Sequence, residues 1–336
     1  MEFNNTSIEI VPFSEEHLEE AAALVAVRYR EERNLNPILP ARFEDAAAVL
    51  LILHNNTRRQ TGVVARREGK LIGFLTGFMS SFREVRTAYI PYWGHGAGSG
   101  NRQETYRVLY ASLARHWVAN GYFTHIITVL AHEREVMDTW FSLGFGMENI
   151  DALRDVSPIE RVTAEVEIRL ASQEDVDVVM SLALANHWHL TATPIFRPIF
   201  GHEKIRHIEQ QLSDANIAWW LAYQDGDVVG CLRIVSSSKR EPTIPTTDKN
   251  TCGITAAFTK EEFRRRGVAT ALLKHSLEWA HSTGYTRCAV DFESANNLGS
   301  RFWLKHFQPV GYSLVRRLDE RIAWAHEGQS DTVISR

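Results

Sequence analysis

The chain has 336 residues, 37 Lys+Arg against 41 Asp+Glu for a net charge of −4, and 44% hydrophobic residues. At ~150 residues per domain that length implies about two domains with ample cores, and it excludes a mainly disordered chain. The slightly acidic balance argues against a general nucleic-acid binder, whose binding face is strongly basic.

Three scattered cysteines, Cys231, Cys252 and Cys288, fit neither a disulfide framework nor a zinc knuckle. The opening Met1–Asn5 has no basic segment followed by an apolar one, so a secretory signal is not expected. The longest apolar stretch, Ala46–Leu53, falls well short of the ~18–20 residues of a membrane span. These features predict a soluble protein of the cytoplasm, with no metal, no nucleic acid and no membrane among its partners. A homodimer is left open.

In chain order, the predicted elements repeat once. Ile8-Glu9-Ile10, then Ser14-Glu15-Glu16, returns as Val166-Glu167-Ile168, then Ser172-Gln173-Glu174. Each reads as a short alternating strand and a helix opened by a Ser N-cap with acids in the first turn. Glu68-Gly69-Lys70-Leu71-Ile72-Gly73 returns as Asp225-Gly226-Asp227-Val228-Val229-Gly230, a tight hairpin with Gly at the turn. Asn120-Gly121-Tyr122 before Ile126–Val129 returns as Thr283-Gly284-Tyr285 before Cys288–Val290, a helix stopped by Gly and followed by a buried strand. Trp140-Phe141 is echoed by Phe302-Trp303. Four echoes in one order predict two copies of one unit: a domain over 1–158, a second over 164–325, and a flexible tail over 326–336. Hairpins mixed with one parallel crossover per copy predict an α/β (α+β) fold, each copy a mixed, mostly antiparallel twisted sheet with helices on both faces.

The most informative stretch runs from Ile254 to Leu273. It reads as a strand, a short loop and a helix whose stripe carries Leu273, Leu277 and Ala280. The helix opens on Arg264-Arg265-Arg266-Gly267-Val268-Ala269. Free N–H groups at a helix start carry partial positive charge, small residues let an anion approach the backbone, and three arginines add charge. The chemistry suited to this is a phosphate or pyrophosphate cradle.

Arg264-x-x-Gly267-x-Ala269, followed by Asn296-x-x-Gly299-x-x-Phe302-Trp303-x-Lys305, resembles the GNAT superfamily of acyl-CoA-dependent N-acyltransferases. The resemblance is good over about 165–318 and extends through the repeat, more weakly, to about 7–150. It implies two tandem GNAT-like domains and an acyl donor, acetyl-CoA, held in the second. The strand ending at Phe258 and Thr259 would splay from its neighbour and pair with the pantetheine arm. Amides of Arg265, Arg266, Gly267, Val268, Ala269 and Thr270, with Arg264, would hold the pyrophosphate, and Asn296 and Phe302 would line the pantetheine side. The implied reaction is direct attack of a small-molecule amine on the thioester.

Two proton roles follow. Family members often use a Tyr in the Phe-Tyr pair as the acid, but Trp303 stands there, and an indole N–H is a donor without being a usable acid. Ser300, His306, Tyr312 or a water is left for that role, and Glu293 or Asp291 for the base.

In the first copy, an offset of 163 places Glu104 opposite Gly267, where a carboxylate would fill and repel the anion site. One donor site, in the second copy, is therefore expected. Gly94–Gly100 fits neither a P-loop nor G-x-G-x-x-G and reads as a flexible surface loop. The segment His187-Trp188-His189, with Phe196 beyond it, is expected to cover the acceptor, its rings suited to an amine. Trp219-Trp220 reads as core, and Ser236–Asn250 as a polar loop suited to a lid. Alternative functions are a non-catalytic acyl-CoA-binding or regulatory protein and an interaction scaffold.

Overall fold

The computed structural model describes residues 8–57, 60–198, 207–239 and 244–323. The expected tail, 326–336, and the middle of the expected lid loop, 240–243, lie outside the described residues.

The chain divides into two compact units, one of residues 1–148 and 311–336 and one of residues 149–310. In the first unit, β1 (Glu9–Pro12), β2 (Gln60–Arg67), β3 (Lys70–Phe82), β4 (Val85–Ile90) and β6 (Thr124–Leu130) follow in that order across the sheet. β5 (His95–Ala97) pairs with β3, and β4 runs parallel to β6 while the other pairs are antiparallel. The helices are α1 (Leu18–Leu35), α2 (Ala46–Asn56), α3 (Arg102–Ala119) and α4 (Arg134–Ser142). Strand alternation sets the two faces. Leu75 joins the buried cluster of α3 and α4, which holds Tyr106, Leu109, Trp117, Met137 and Trp140. Its neighbour Phe74 points the other way and stacks on Phe13 at 5.6 Å.

The second unit repeats the plan. β8 (Glu167–Leu170), β9 (Ile217–Gln224), β10 (Asp227–Val235), β11 (Thr251–Thr259) and β12 (Arg287–Glu293) follow across the sheet, with β11 parallel to β12. Its helices are α5 (Val176–Thr191), α6 (Ile208–Ser213), α7 (Val268–Ser282) and α8 (Asn297–His306). Trp219, Leu221 and Cys231 face α5 in one cluster with Val179 and Leu182. Trp220 faces the opposite way, toward His275 of α7.

The last strand of each unit is exchanged. After α4 the chain runs into β7 (Gly146–Asp155), and this strand pairs antiparallel with β12 of the second unit. After α8 it runs into β13 (Gln308–Arg317), whose residues from Gly311 pair antiparallel with β6 of the first unit. The expected division at 158–164 therefore does not hold, because each unit is closed by a strand from the other half. The mixed, mostly antiparallel sheets with helices on both faces are as expected. No described helix is long and apolar enough to cross a membrane.

Candidate functional site

The site begins where two parallel strands part. β11 pairs with β12 only from Thr251↔Arg287 to Ile254↔Val290. Beyond that, Ala256–Thr259 remain on β10, past a bulge at Thr255, while Asp291, Phe292 and Glu293 remain on β7. Backbone groups on the facing edges of the wedge are thereby withdrawn from the ladder. A cavity of about 240 Å³ opens there, lined by Thr255–Ala257 on one side and Val290–Glu293 on the other.

At the end of β11 the chain makes the expected turn. Arg265 has φ +61° and Gly267 has φ +86°, both left-handed. Gly267 is the N-cap of α7 and supplies no side chain to the helix start. The first helical bond within the turn runs from Ala271 N–H to Gly267 O at 3.0 Å, and the amides ahead of it are the ones a phosphate takes up. A Cβ on residue 267 would lie 3.0 Å from Thr163 Oγ1 and 3.1 Å from the Ala164 nitrogen, so both dihedral and space call for glycine. Arg264 turns back: its Nε donates to Thr259 O at 3.1 Å and its guanidinium lies 6.0 Å from the Phe258 ring. The splayed strand and the uncapped helix start together fit an acyl-CoA's pantetheine and pyrophosphate.

The cavity wall is rich in charge. Glu293 accepts from Arg197 Nη1 at 2.7 Å, with the carboxylate 12% exposed. Arg233, on the α5 face of β10, is half-buried. Its Nε donates to Thr255 Oγ1 at 2.7 Å and its Nη1 to Gln211 Oε1 at 3.0 Å, with the group 5.3 Å from the Trp219 ring centre. Burial lowers the guanidinium's pKa from its ordinary value. Cys231 also lines the wall, where burial pushes its thiol up to about 12 and so favours the protonated form.

Asn296, His187 and Trp303 line the same cavity. Asn296 caps α8, its Oδ1 accepting from Gly299 N–H at 2.9 Å. A Cβ at Gly299 would lie 2.8 Å from the Asn296 amide, which accounts for Gly where the family pattern has Ala. Trp303 is buried and packs edge-on against Phe302 at 4.8 Å.

The other expected residues are dispersed. Ser300 Oγ donates to Ser294 O at 3.4 Å and does not line the cavity. Tyr312 belongs to the first unit, paired with Val129 of β6 and packed on that unit's core, so it too is not part of the cavity wall. His306 lies edge-on to Phe302 at 5.0 Å, and burial lowers its pKa. Trp188 and Phe196 point outward, 60% and 68% exposed. His189 faces Phe258 at 6.4 Å, its pKa lowered by burial and then by Arg264. Of the acceptor residues expected from sequence only His187 reaches the wall. Arg233 and Arg197 were missed. The available signal for Arg233 was a lone cation inside the apolar run Val229–Val235.

The corresponding region of the first unit is closed. β4 and β6 part after Ile90↔Ile127, but the wedge is filled. His95 of β5 reaches across to Thr128 O at 3.0 Å and holds Tyr106 OH at 3.0 Å. Arg28 donates to the His95 carbonyl and forms a double bridge to Glu133, at 2.6 and 2.5 Å. Glu133 opens α4 as Asn296 opens α8. Of the expected flexible surface loop Gly94–Gly100, residues 94–97 are buried, which corrects that part, while Ser99 and Gly100 are exposed.

The helix start differs as well. α3 and α7 both end before a Gly, Gly121 and Gly284, but α3 begins at Arg102 and is 18 residues long against 15. It is about one turn longer at its N-terminus. Glu104, opposite Gly267 at the offset of 163 as expected, therefore lies in the first turn of α3 rather than at its cap. The cap is Asn101, whose Oδ1 takes the Glu104 N–H at 3.1 Å and whose amide donates to Glu104 Oε2 at 3.0 Å.

Residues 185–307 match the model of the acetyltransferase (GNAT) family. Among curated proteins no sequence matches the chain. Of the solved structures, a GCN5-related N-acetyltransferase from Sphaerobacter thermophilus superposes with a TM-score of 0.60 at 12% identity, covering 92% of this chain and 95% of that one. A glucosamine N-acetyltransferase region of a fungal multi-domain β-N-acetylglucosaminidase gives 0.56 at 13% identity, over 93% of this chain and only 38% of that one. A tandem GNAT protein from the clavulanic acid biosynthesis pathway gives 0.50 at 14% identity, over 93% and 98%. At these identities the likeness establishes the fold.

Proposed function

Starting from the GNAT domain at residues 185–307, we propose that the protein is an acyl-CoA-dependent N-acyltransferase. It transfers acetyl to an amine of a small molecule, with the donor bound in the second unit alone. The observation that carries this reading is the wedge between β11 and β12 ending at the uncapped, left-handed Gly267 turn. The donor supplies a thioester carbonyl open to direct attack by an amine. Phe258 and Thr259 present strand backbone to the pantetheine. Amides of Arg265, Arg266, Gly267, Val268, Ala269 and Thr270, with Arg264 beside them, take the pyrophosphate. Asn296 and Phe302 flank the pantetheine's far side. Glu293, oriented by Arg197, takes the proton of the incoming ammonium directly or through water. The cytoplasm is the compartment proposed.

Purified protein given acetyl-CoA and a panel of small amines is expected to release free CoA. No release from a broad panel, with donor bound, refutes catalysis. Gly267→Glu is expected to abolish donor binding by calorimetry, and unchanged affinity refutes the cradle.

Trp303 favours a second reading. An indole in the cavity wall offers no proton to a departing thiolate. A non-catalytic acyl-CoA-binding or regulatory protein would bind donor tightly without turnover.

A further inference from the structure

Arg233 is a half-buried cation whose partners among the described residues are uncharged: the Gln211 amide oxygen, the Thr255 hydroxyl and the Trp219 ring. A guanidinium carries five N–H groups in a planar fork. Two are used here, so among the described residues three stay unassigned, on Nη1 and Nη2. N–H groups of this kind are the ones that take a carboxylate by charge-assisted hydrogen bonds. Arg197 differs in that its charge is paired, with Glu293 at 2.7 Å. Both arginines and Glu293 line one cavity of about 240 Å³, room for a molecule of amino-acid size.

Arg233 does not belong to the donor's phosphate turn. It shares the α5 face of the sheet with Cys231, two residues away on the same strand, and with Trp219 beneath it. α7, which carries the phosphate turn at its start, packs behind Trp220 on the opposite face. A cation set into the acceptor wall, held rigidly by two neutral hydrogen bonds and an aromatic face, lowers the free energy of an anion placed beside it.

We propose that the acceptor carries a carboxylate as well as its reacting amine, an amino acid or close analogue, with the carboxylate paired to Arg233 and the amine directed to the Glu293 side of the cavity. This rests on the acyltransferase reading for its reaction, but the binding claim is tested without turnover.

The first measurement is binding to the full chain by saturation-transfer NMR and calorimetry. The panel is the common amino acids, each against its methyl ester and its decarboxylated amine, with and without CoA. At least one free amino acid is expected to bind about 10- to 100-fold more tightly than both of its counterparts. Arg233→Gln and Arg233→Lys are expected to remove that difference while leaving CoA affinity unchanged, with folding checked by circular dichroism. Should esters and simple amines bind as well as the acids, or should Arg233→Gln keep the preference, the proposal is overturned even if acetyl transfer is found. The second measurement is steady-state kinetics on any acid that is acetylated. Arg233→Gln is expected to raise its KM about 10- to 100-fold with a smaller effect on kcat. A kcat loss at unchanged KM overturns the carboxylate contact. Acid-selective binding without CoA release supports the pocket chemistry and refutes the acyltransferase reading instead.

Discussion

Gly267→Ala isolates the Arg264–Ala269 turn, the proposed phosphate site, with one methyl group. The native φ of +86° lies in the left-handed region, where a Cβ costs roughly 1–2 kcal/mol. The added carbon would lie 3.0 Å from Thr163 Oγ1, a side chain that can give, but also 3.1 Å from the Ala164 nitrogen, which is backbone. Relieving both moves the turn or the segment beside it, at a combined cost of about 1–3 kcal/mol. If the native turn is what binds the donor, that cost is charged against affinity, and CoA should bind about 5- to 150-fold more weakly by calorimetry. Gly284→Ala is the matched control. Its φ is +91° with nothing within 4 Å of the added Cβ, at the far end of the same helix. It should carry a similar dihedral cost, seen as a lower melting temperature, and leave CoA affinity unchanged. The reasoning fails if Gly267→Ala binds CoA as the native chain does, or if the two variants weaken binding equally.

Glu293→Gln should lower kcat by about 10²–10⁴-fold with CoA affinity unchanged; a kcat near native removes Glu293 as base. In the first unit, Glu133→Ala strands the buried Arg28 guanidinium and should cost about 3–5 kcal/mol in urea unfolding; a loss below about 1 kcal/mol would show that the bridge is not holding the wedge closed. Burial depresses His95 to about 3 and His125 to about 4, so between those values and about 6.5 the unfolded chain binds protons that the folded one does not. Stability of the first unit is therefore complete above about pH 6.5 and declines as pH falls, by up to about 1.4 kcal/mol per pH unit for each histidine. Melting curves from pH 7.5 to 4.5 check this, and a first unit whose melting temperature does not fall over that range contradicts it.

Much of this protein was legible from residues close together in the chain. The hairpins at Glu68-Gly69 and Asp225-Gly226 were, and so were the Gly stops at 121 and 284 and the strand-to-helix turn at 264–269. Each depends on dihedral preference and periodicity over a few residues, and each has the expected form in the structure. The internal repeat was legible for the same reason, since two copies preserve the same local signals. Tertiary structure alone decided the exchange of β7 and β13, because an alternating strand carries the same pattern whichever sheet edge accepts it. It also moved Tyr312 into the first unit, left Glu293 and Arg197 paired, and brought Arg233 to the same wall from a separate strand. It closed the first wedge with His95, Arg28 and Glu133, residues 38 to 105 positions apart, whose meeting no local pattern encodes. Backbone preferences act over single turns, whereas a site is made by side chains that only packing of the whole unit brings together.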